Sequence, residues 1–171
     1  MTDFIAILCN GPSRVQYDPN KEYAYRIGCN IPWTDVDCTV ILDEDVCTYW
    51  SRNLSAIKCP AYFSISAWNW AVNLPGFKAY IEENNLFAGI VDVPVEPKHS
   101  TGHVAVLKAI DLGYKKFDIY GLDSWFEDNI ESYTINFVDN KPVNHVASWR
   151  QAWKNIIGRN DRCKFNFIRE L

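Results

Sequence analysis

Short apolar segments alternate with helical patterns along this chain, and the alternation constrains its fold more than any other feature. Seven segments of four to six residues are apolar enough to be strands: Phe4–Cys9, Tyr23–Ile27, Cys38–Leu42, Ala61–Ser64, Gly89–Val93, Phe117–Tyr120 and Phe165–Ile168. Helical spacing predicts helices over Val46–Leu54, Phe77–Asn84, Gly102–Leu112 and Ser148–Ile157. Because strands separated by helices form parallel sheets buried on both sides, we predict an α/β, Rossmann-like fold with a mostly parallel sheet and helices on both faces.

The length of the chain, 171 residues, fits a single domain over 1–171, because one core of this size buries roughly two thirds of the unfolded surface. No internal repeat or low-complexity segment is present. Residues Thr134–Val138 have the pattern of a strand, and Asp139–Pro142 have the composition of a turn. We therefore expect residues 124–146 to form a small, reduced lid or flap.

Charge and hydropathy exclude two broad classes of function. A formal net charge of −4 argues against general nucleic-acid binding, which requires a basic surface to replace counterions. The N-terminal apolar run Phe4–Leu8 follows Asp3 and is too short for a membrane span or a signal sequence, so we expect a cytoplasmic protein. Aromatic residues make up 15% of the chain; core packing is the main interpretation, and a stacking site or a homo-oligomer contact is the alternative.

The six cysteines contain no closely spaced pair, and the chain carries no export signal, so we expect reduced thiols. Cys29, Cys38 and Cys47 are nine residues apart, which is not the spacing of a zinc loop. We therefore predict no metal site among the cysteines.

The loop after the first predicted strand contains Asn10, Gly11, Pro12 and Ser13. It lies at the carboxyl edge of the predicted sheet, where open α/β sheets bind ligands. Gly11 permits close backbone approach, and the Asn10 and Ser13 side chains can bind phosphate or ribose oxygens. The same residues are also typical of an ordinary turn, and composition does not separate the two interpretations.

A second candidate anion site precedes the clearest helix. Lys98, His99, Ser100, Thr101 and Gly102 lie directly before or in its first turn, where backbone N–H groups and the positive end of the helix dipole attract anions. Ser100 or Thr101 is also a suitable N-cap, and an N-cap is the simpler interpretation of the segment alone.

These segments, taken together, resemble a known family. The resemblance spans most of the chain and is carried by Asn10–Ser13, Tyr25–Asn30, Ser100–Gly102 and the stretch from Ala109–Tyr114 to Tyr120–Asp123. The sequence resembles the bacterial sialyltransferases of glycosyltransferase family 42. It is also similar to a related group of uncharacterised proteins that includes a pterin diphosphokinase.

The resemblance implies roles for individual residues. Asn10 and Asn30 would contact a CMP-sugar donor, and Ser100–Gly102 would contact its nucleotide, with Lys98 as the basic residue shortly before that segment. His145, which follows the lid and precedes a helix, would act as the general base on the acceptor hydroxyl.

The lid departs from the family pattern. The family places tyrosine hydroxyls on the leaving phosphate, whereas this chain has Trp125 after Asp123 and Ser124. The indole of Trp125 offers one N–H donor. Tyr133 is the candidate that would supply a hydroxyl instead.

Three acidic residues, Asp43, Glu44 and Asp45, follow the third predicted strand. A pair of carboxylates there could hold Mg²⁺ or Mn²⁺ against a diphosphate. An N-terminal helix cap, or a contact from Asp43 to a ribose, is favoured, because acidic residues commonly begin helices.

The sequence therefore predicts a glycosyltransferase-like protein that binds a nucleotide or nucleotide-sugar, a CMP-sugar or similar, and transfers the sugar to a hydroxyl acceptor without a cofactor. Two alternatives remain open at this point. One is a diphosphokinase that uses Mg²⁺ or Mn²⁺ and acts on a pterin-like alcohol, and the other is a nucleotide-binding module without catalytic activity.

Overall fold

A computed structural model describes residues 2–126, 131–135, 139–142 and 146–169 of the chain. Nine strands form in this part: β1 (Ile5–Leu8), β2 (Tyr25–Cys29), β3 (Cys38–Ile41), β4 (Ala61–Phe63), β5 (Phe87–Ile90), β6 (Lys116–Tyr120), β7 (Glu131–Ile135), β8 (Asp139–Pro142) and β9 (Lys164–Phe167). Its helices are α1 (Glu44–Ser51), α2 (Ile65–Ala71), α3 (Phe77–Glu83), α4 (Thr101–Asp111) and α5 (Val146–Arg159).

Seven strands form one sheet in the order β5-β4-β3-β2-β1-β6-β9, and every neighbouring pair in it is parallel. The predicted α/β fold with a parallel sheet is therefore confirmed. The order extends in one direction from β1 to β5 and then reverses, because β6 pairs with the other side of β1. Such a reversal is the switch point at which open α/β sheets bind ligands outside the carboxyl ends of their strands.

Helices cover both faces of the sheet, as predicted. Cys38 and Val40 of β3 point to the face that α4 and α5 cover, where they join one core cluster. Ile41 belongs to a second cluster, which contains buried residues of α1, α2 and α3. Alternate residues of a strand point to opposite faces, so the near-continuous apolar runs of the sequence are explained by burial on both.

Both ends of helix α4 have local causes in the sequence. Ser100 is its N-cap, with extended backbone angles. Gly113 follows the last turn with φ of 98°, a left-handed conformation that glycine adopts without steric cost. The predicted start and stop of this helix are confirmed.

Three predicted elements need correction. Strand β2 covers Tyr25–Cys29 instead of Tyr23–Ile27, and the Tyr23 ring lies before it, buried with Ala6, Leu8 and Tyr120. Strand β5 lies at Phe87–Ile90, earlier than the predicted Gly89–Val93. The segment Asp139–Pro142, predicted as a turn, is strand β8 and pairs antiparallel with β7.

The two-stranded sheet of β7 and β8 falls within the range predicted as a lid, 124–146, and β7 contacts helix α1. Its function as a lid remains a prediction. Helix α2, which the sequence analysis did not predict, follows β4 directly. No helix in the described ranges is long and apolar enough to cross a membrane.

Candidate functional site

The loops after β1 and β6 are bonded to each other at the switch point. The Gly11 amide donates to the Gly121 carbonyl at 2.7 Å. The Ser13 backbone N–H donates to the Asp123 carboxylate at 3.0 Å, and its hydroxyl accepts from the Gly121 amide at 3.2 Å. These polar groups of Gly11 and Ser13 therefore hold the two loops together and fix the backbone on which Asn10 is carried.

The same contact requires glycine at position 11. A Cβ atom on Gly11 would overlap the carbonyl oxygen of Gly121 and a carboxylate oxygen of Asp123. Gly121 has φ of 72°, and a Cβ there would overlap the Cys9 carbonyl. The close approach of the two loops therefore depends on two glycines that lie far apart in sequence.

We expect Gly11→Ala to lower the free energy of unfolding by about 1–3 kcal/mol, because the added methyl group has no room between the loops. Gly158→Ala on helix α5 is the matched control, since no atom of the described residues lies within 4 Å of its Cβ position. That change should raise stability by about 0.5–1 kcal/mol, the usual preference for alanine over glycine inside a helix. Urea denaturation measures both values, and equal effects of the two changes would contradict the steric argument.

Asn10 and Asn30, at the carboxyl ends of β1 and β2, lie next to each other. The Asn10 side-chain amide donates to the Cys29 carbonyl at 3.0 Å. Asn30 has φ of 59° and is 7% exposed, and its Oδ1 atom is buried without a hydrogen-bond partner among the described residues. A buried amide oxygen without a partner costs about 1–3 kcal/mol, so a ligand that donates a hydrogen bond to this oxygen would recover that cost.

The backbone of Asn30 is fixed on both sides. Its amide donates to the Val40 carbonyl at 2.9 Å, and its own carbonyl accepts from the Thr39 hydroxyl at 2.7 Å. Strand β3 thus holds Asn30 in the left-handed conformation, which asparagine tolerates better than most residues.

The N-terminus of α4 also lies close to the carboxyl ends of β1 and β6. A Cβ on Gly102 would lie 2.7 Å from the Cys9 sulfur and 3.6 Å from Leu122, so the helix begins close to the ends of both β1 and β6. Ser100 and Thr101 are half-buried at this point. The backbone N–H groups of the first turn and the positive end of the helix dipole are therefore close to the switch point.

His103 is buried completely and fixes the start of α4. Its Nδ1 accepts from the Ser100 amide at 2.9 Å, and its Nε2 donates to the Trp149 carbonyl at 2.8 Å. Burial lowers the pKa of His103 to about 3, so the ring is neutral at physiological pH. A neutral, enclosed ring of this kind connects α4 to α5.

Two other predicted residues lie at the margin of the site. The Lys98 amide donates to the Ser148 hydroxyl at 2.7 Å, and Lys98 itself is exposed. Asp43 is the N-cap of α1 and also exposed, with no side-chain cap bond. Protein atoms that surround its carboxyl group desolvate it and, with the charge of Asp45, raise its pKa. Asp43 lies at the end of β3, the strand beside Asn30.

Three predicted site residues, Trp125, Tyr133 and His145, belong to the range predicted as a lid. The Trp125 ring stacks on Phe167 of β9, with 4.7 Å between ring centroids. Tyr133 belongs to β7, whose backbone alone is described, and His145 lies outside the described residues. Their roles remain predictions.

Sequence reasoning missed Trp33 and Asp123 as parts of the site. The Trp33 indole donates to the Cys9 carbonyl at 3.3 Å, and the Arg14 guanidinium lies 5.7 Å from its ring centroid. Asp123 belonged to a segment that carried the resemblance, but nothing in the sequence paired it with Ser13. No sequence signal identified Trp33, because its partners come from a different loop.

A buried carboxylate lies beneath this edge of the sheet and was also not anticipated. Asp118 of β6 accepts from the Lys21 ammonium at 3.0 Å, the Tyr23 hydroxyl at 2.7 Å and the Asn166 amide at 2.9 Å. Burial alone would raise the pKa of Asp118, but these three donors outweigh it and the pKa is lowered. The cluster joins β6, β9 and the segment before β2, so its role is structural.

No family model matches the sequence, and no curated protein matches it either. Solved structures do resemble this fold. One is the sialyltransferase CstII from Campylobacter jejuni in complex with the substrate analogue CMP-3FNeuAc, with TM-score 0.56 and 13% identity over 96% of this chain and 80% of that one. Another is the monofunctional alpha-2,3-sialyltransferase Cst-I from Campylobacter jejuni, with TM-score 0.59 and 18% identity over 98% of this chain and 76% of that one.

A further structure of CST-II, in complex with a trisaccharide acceptor and CMP, gives TM-score 0.58 and 13% identity over 96% of this chain and 80% of that one. At such identities the likeness concerns the fold. The sheet, its switch point and the helices on both faces are therefore similar in fold to the Campylobacter jejuni sialyltransferases.

Proposed function

We propose that this chain binds a nucleotide-sugar, a CMP-sugar or similar, at the switch point and transfers the sugar to a hydroxyl acceptor. One observation carries the proposal: Asn30 is held in a left-handed conformation at the carboxyl edge, with a buried amide oxygen that has no partner among the described residues. A ligand with a hydroxyl or amino donor would satisfy that oxygen.

The surroundings suit the phosphate of such a ligand. The first turn of α4 presents backbone N–H groups next to the ends of β1 and β6, and Lys98 lies just before it. Helix N-termini bind phosphate through these groups and through the helix dipole. Phosphate recognition therefore needs no large basic surface, in agreement with the net charge of −4.

The fold likeness supports the same ligand class. The Campylobacter jejuni structures contain CMP or the analogue CMP-3FNeuAc, and one also contains a trisaccharide acceptor. We extend this ligand class to the present chain as a proposal. No comparable observation favours diphosphate transfer to a pterin-like alcohol, and the described residues include no group of three or more His, Cys, Asp and Glu side chains that could hold a metal ion.

In the proposed reaction the acceptor oxygen attacks the anomeric carbon of the sugar, and a new glycosidic bond forms. The bond between that carbon and the phosphate oxygen breaks, and the nucleoside monophosphate leaves with the bonding electrons. His145 accepts the proton of the acceptor hydroxyl, the role that the family resemblance implies. The backbone N–H groups at the start of α4 stabilise the negative charge on the leaving phosphate.

We expect Asn30→Ala to weaken CMP binding by tenfold to a hundredfold, or about 1–3 kcal/mol, because a polar partner of the ligand is removed. Asn85→Ala is the matched control, since Asn85 also has positive φ, 55°, and is exposed before β5, away from the carboxyl edge. Both changes place alanine in a left-handed conformation, which costs about 1–2 kcal/mol. At Asn30 the removal of the unpartnered amide oxygen offsets part of this cost.

Isothermal titration calorimetry with CMP measures the affinities, and thermal unfolding checks that both variants are folded. An unmodified protein that does not bind CMP would refute the proposal. If Asn30→Ala and Asn85→Ala changed the affinity equally, the role of Asn30 would be refuted. Binding of a nucleotide-sugar without any turnover would support the binding-module alternative.

A further inference from the structure

A groove lies on the surface of α1 and α2, which pack against each other on the face of the sheet opposite α4. Six residues line it: Glu44, Asp45, Thr48, Tyr49, Arg52 and Trp70. It encloses about 370 Å³, within the range of pockets that hold small molecules, roughly 300–1,000 Å³. None of the six has a role in the donor site described above.

The Trp70 ring is exposed in this groove and is held in one orientation. Its side chain is 45% exposed, although large aromatic residues are usually buried to a greater extent. Its indole N–H donates to the Thr48 hydroxyl at 2.7 Å, which ties α2 to α1 and fixes the ring. Tyr49, half-buried on α1, supplies a second ring in the lining. The groove thus has two aromatic surfaces, at least one of them rigid.

Charged side chains complete the lining. Glu44 and Asp45 lie in the first turn of α1, and Arg52 follows its last turn, and all three are exposed. Carboxylates accept hydrogen bonds from hydroxyl groups, and a guanidinium donates several. Two negative charges against one positive charge disfavour a phosphate group, so the lining suits a neutral ligand that has both apolar surface and many hydroxyls.

The groove begins at the carboxyl edge of the sheet. Helix α1 starts directly after Asp43 at the end of β3, and α2 starts after Ser64 at the end of β4. Both helices run away from this edge, side by side. Strand β7, which belongs to the two-stranded sheet predicted as a lid, also contacts α1. Asn30 follows β2, the strand that pairs with β3.

We propose that the α1–α2 groove binds a pyranose unit of the saccharide acceptor. The C–H face of a pyranose ring packs on aromatic rings, and its hydroxyls bond to flanking carboxylates and guanidinium groups. This assignment rests on the proposed function, because it supplies the acceptor side of the same transfer reaction. The groove would hold a sugar unit of the acceptor while the attacking hydroxyl extends toward the donor.

The test is a titration followed by NMR, with the Trp70 indole N–H resonance as the probe. The ligands are methyl β-glucoside, methyl β-galactoside, methyl N-acetyl-β-glucosaminide and lactose, each at millimolar concentration. We expect at least one to shift this resonance in a saturable way. Calorimetry should show that Trp70→Ala weakens the binding of that saccharide at least tenfold, and that Trp70→Phe, which keeps an aromatic face, weakens it less.

Ile65→Ala is the matched control, because Ile65 is a 60% exposed apolar residue of the same helix outside the groove lining. It should leave saccharide affinity unchanged, and all three variants should bind CMP like the unmodified protein. The proposal is overturned if none of the saccharides binds, or if Trp70→Ala and Ile65→Ala have the same effect. Saccharide binding that depends on Trp70 in a protein that does not bind CMP would refute the proposed function and leave the groove assignment standing.

Discussion

His145→Ala is expected to lower turnover by about 10²–10⁴-fold, the usual contribution of a general base to a proton transfer. The expectation follows from the family resemblance, which places a proton acceptor between the lid and the following helix. Donor binding should remain nearly unchanged, because the base acts on the acceptor hydroxyl in the transition state and does not contact the nucleotide. Steady-state kinetics together with CMP calorimetry separates the two effects.

The pH dependence gives a second measurement of the same prediction. A histidine must be deprotonated to act as a base, so kcat of the unmodified protein should fall as the pH decreases into the range in which histidines become protonated. The variant should lose this acidic limb of the profile. Asn85→Ala, distant from the site, should retain it. Wild-type turnover in His145→Ala would end the catalytic assignment.

The second large effect concerns stability at low pH. Burial lowers the pKa of His103 in the folded protein to about 3, whereas in the unfolded chain it lies near 6.5. Above pH 6.5 the ring is neutral in both states. Between pH 6.5 and 3 the unfolded state binds a proton that the folded state does not bind, so stability falls with pH, by about 4–5 kcal/mol in total.

His103→Gln is the variant that tests this, because glutamine at this position of a helix can still accept from the N-cap amide but does not titrate. In urea unfolding between pH 7 and 4.5, the free energy of unfolding of the unmodified protein should fall by about 1.4 kcal/mol per pH unit below pH 6. This fall should be absent in His103→Gln. This range lies above the pH at which Asp118, with its lowered pKa, becomes protonated. The control is His99→Gln, a change at a half-buried neighbouring residue. In this variant the free energy of unfolding should fall with pH as it does in the unmodified protein. Equal slopes in unmodified protein and His103→Gln would contradict the argument.

Local signals were sufficient for the elements that are long or strongly patterned. All seven strands of the sheet were predicted within a few residues. Strands β1 and β3 are buried at every residue, and strands buried on both faces must be apolar along their whole length. Helix α4 was predicted almost to the residue from an N-cap at Ser100, a helical apolar pattern and a stop at Gly113.

Elements with little periodicity were missed or misplaced. Helix α2 was not predicted; it has seven residues, which is too short to be stable alone. Its stability comes from Ser64, whose hydroxyl accepts from the Ala67 amide, and from the burial of Ala67 and Ala71. Strand β8 was mistaken for a turn, because Asp, Asn, Lys and Pro favour turns when no partner strand is considered.

The candidate site was likewise predicted only in part from the sequence. The sequence alone determined which loops follow the central strands and placed Asn10, Asn30 and Ser100 at one edge of a parallel sheet. Only the tertiary structure decided what each residue contacts. The Asp123 carboxylate accepts from the backbone amide of Ser13, which lies 110 residues earlier in the chain. His103 is enclosed beneath α5, and Trp70 bonds to Thr48 in the α1–α2 groove. The physical reason is that burial and backbone conformation are encoded by near neighbours in the chain, whereas the partner of a polar side chain is set by strand order and helix packing, which bring distant segments together.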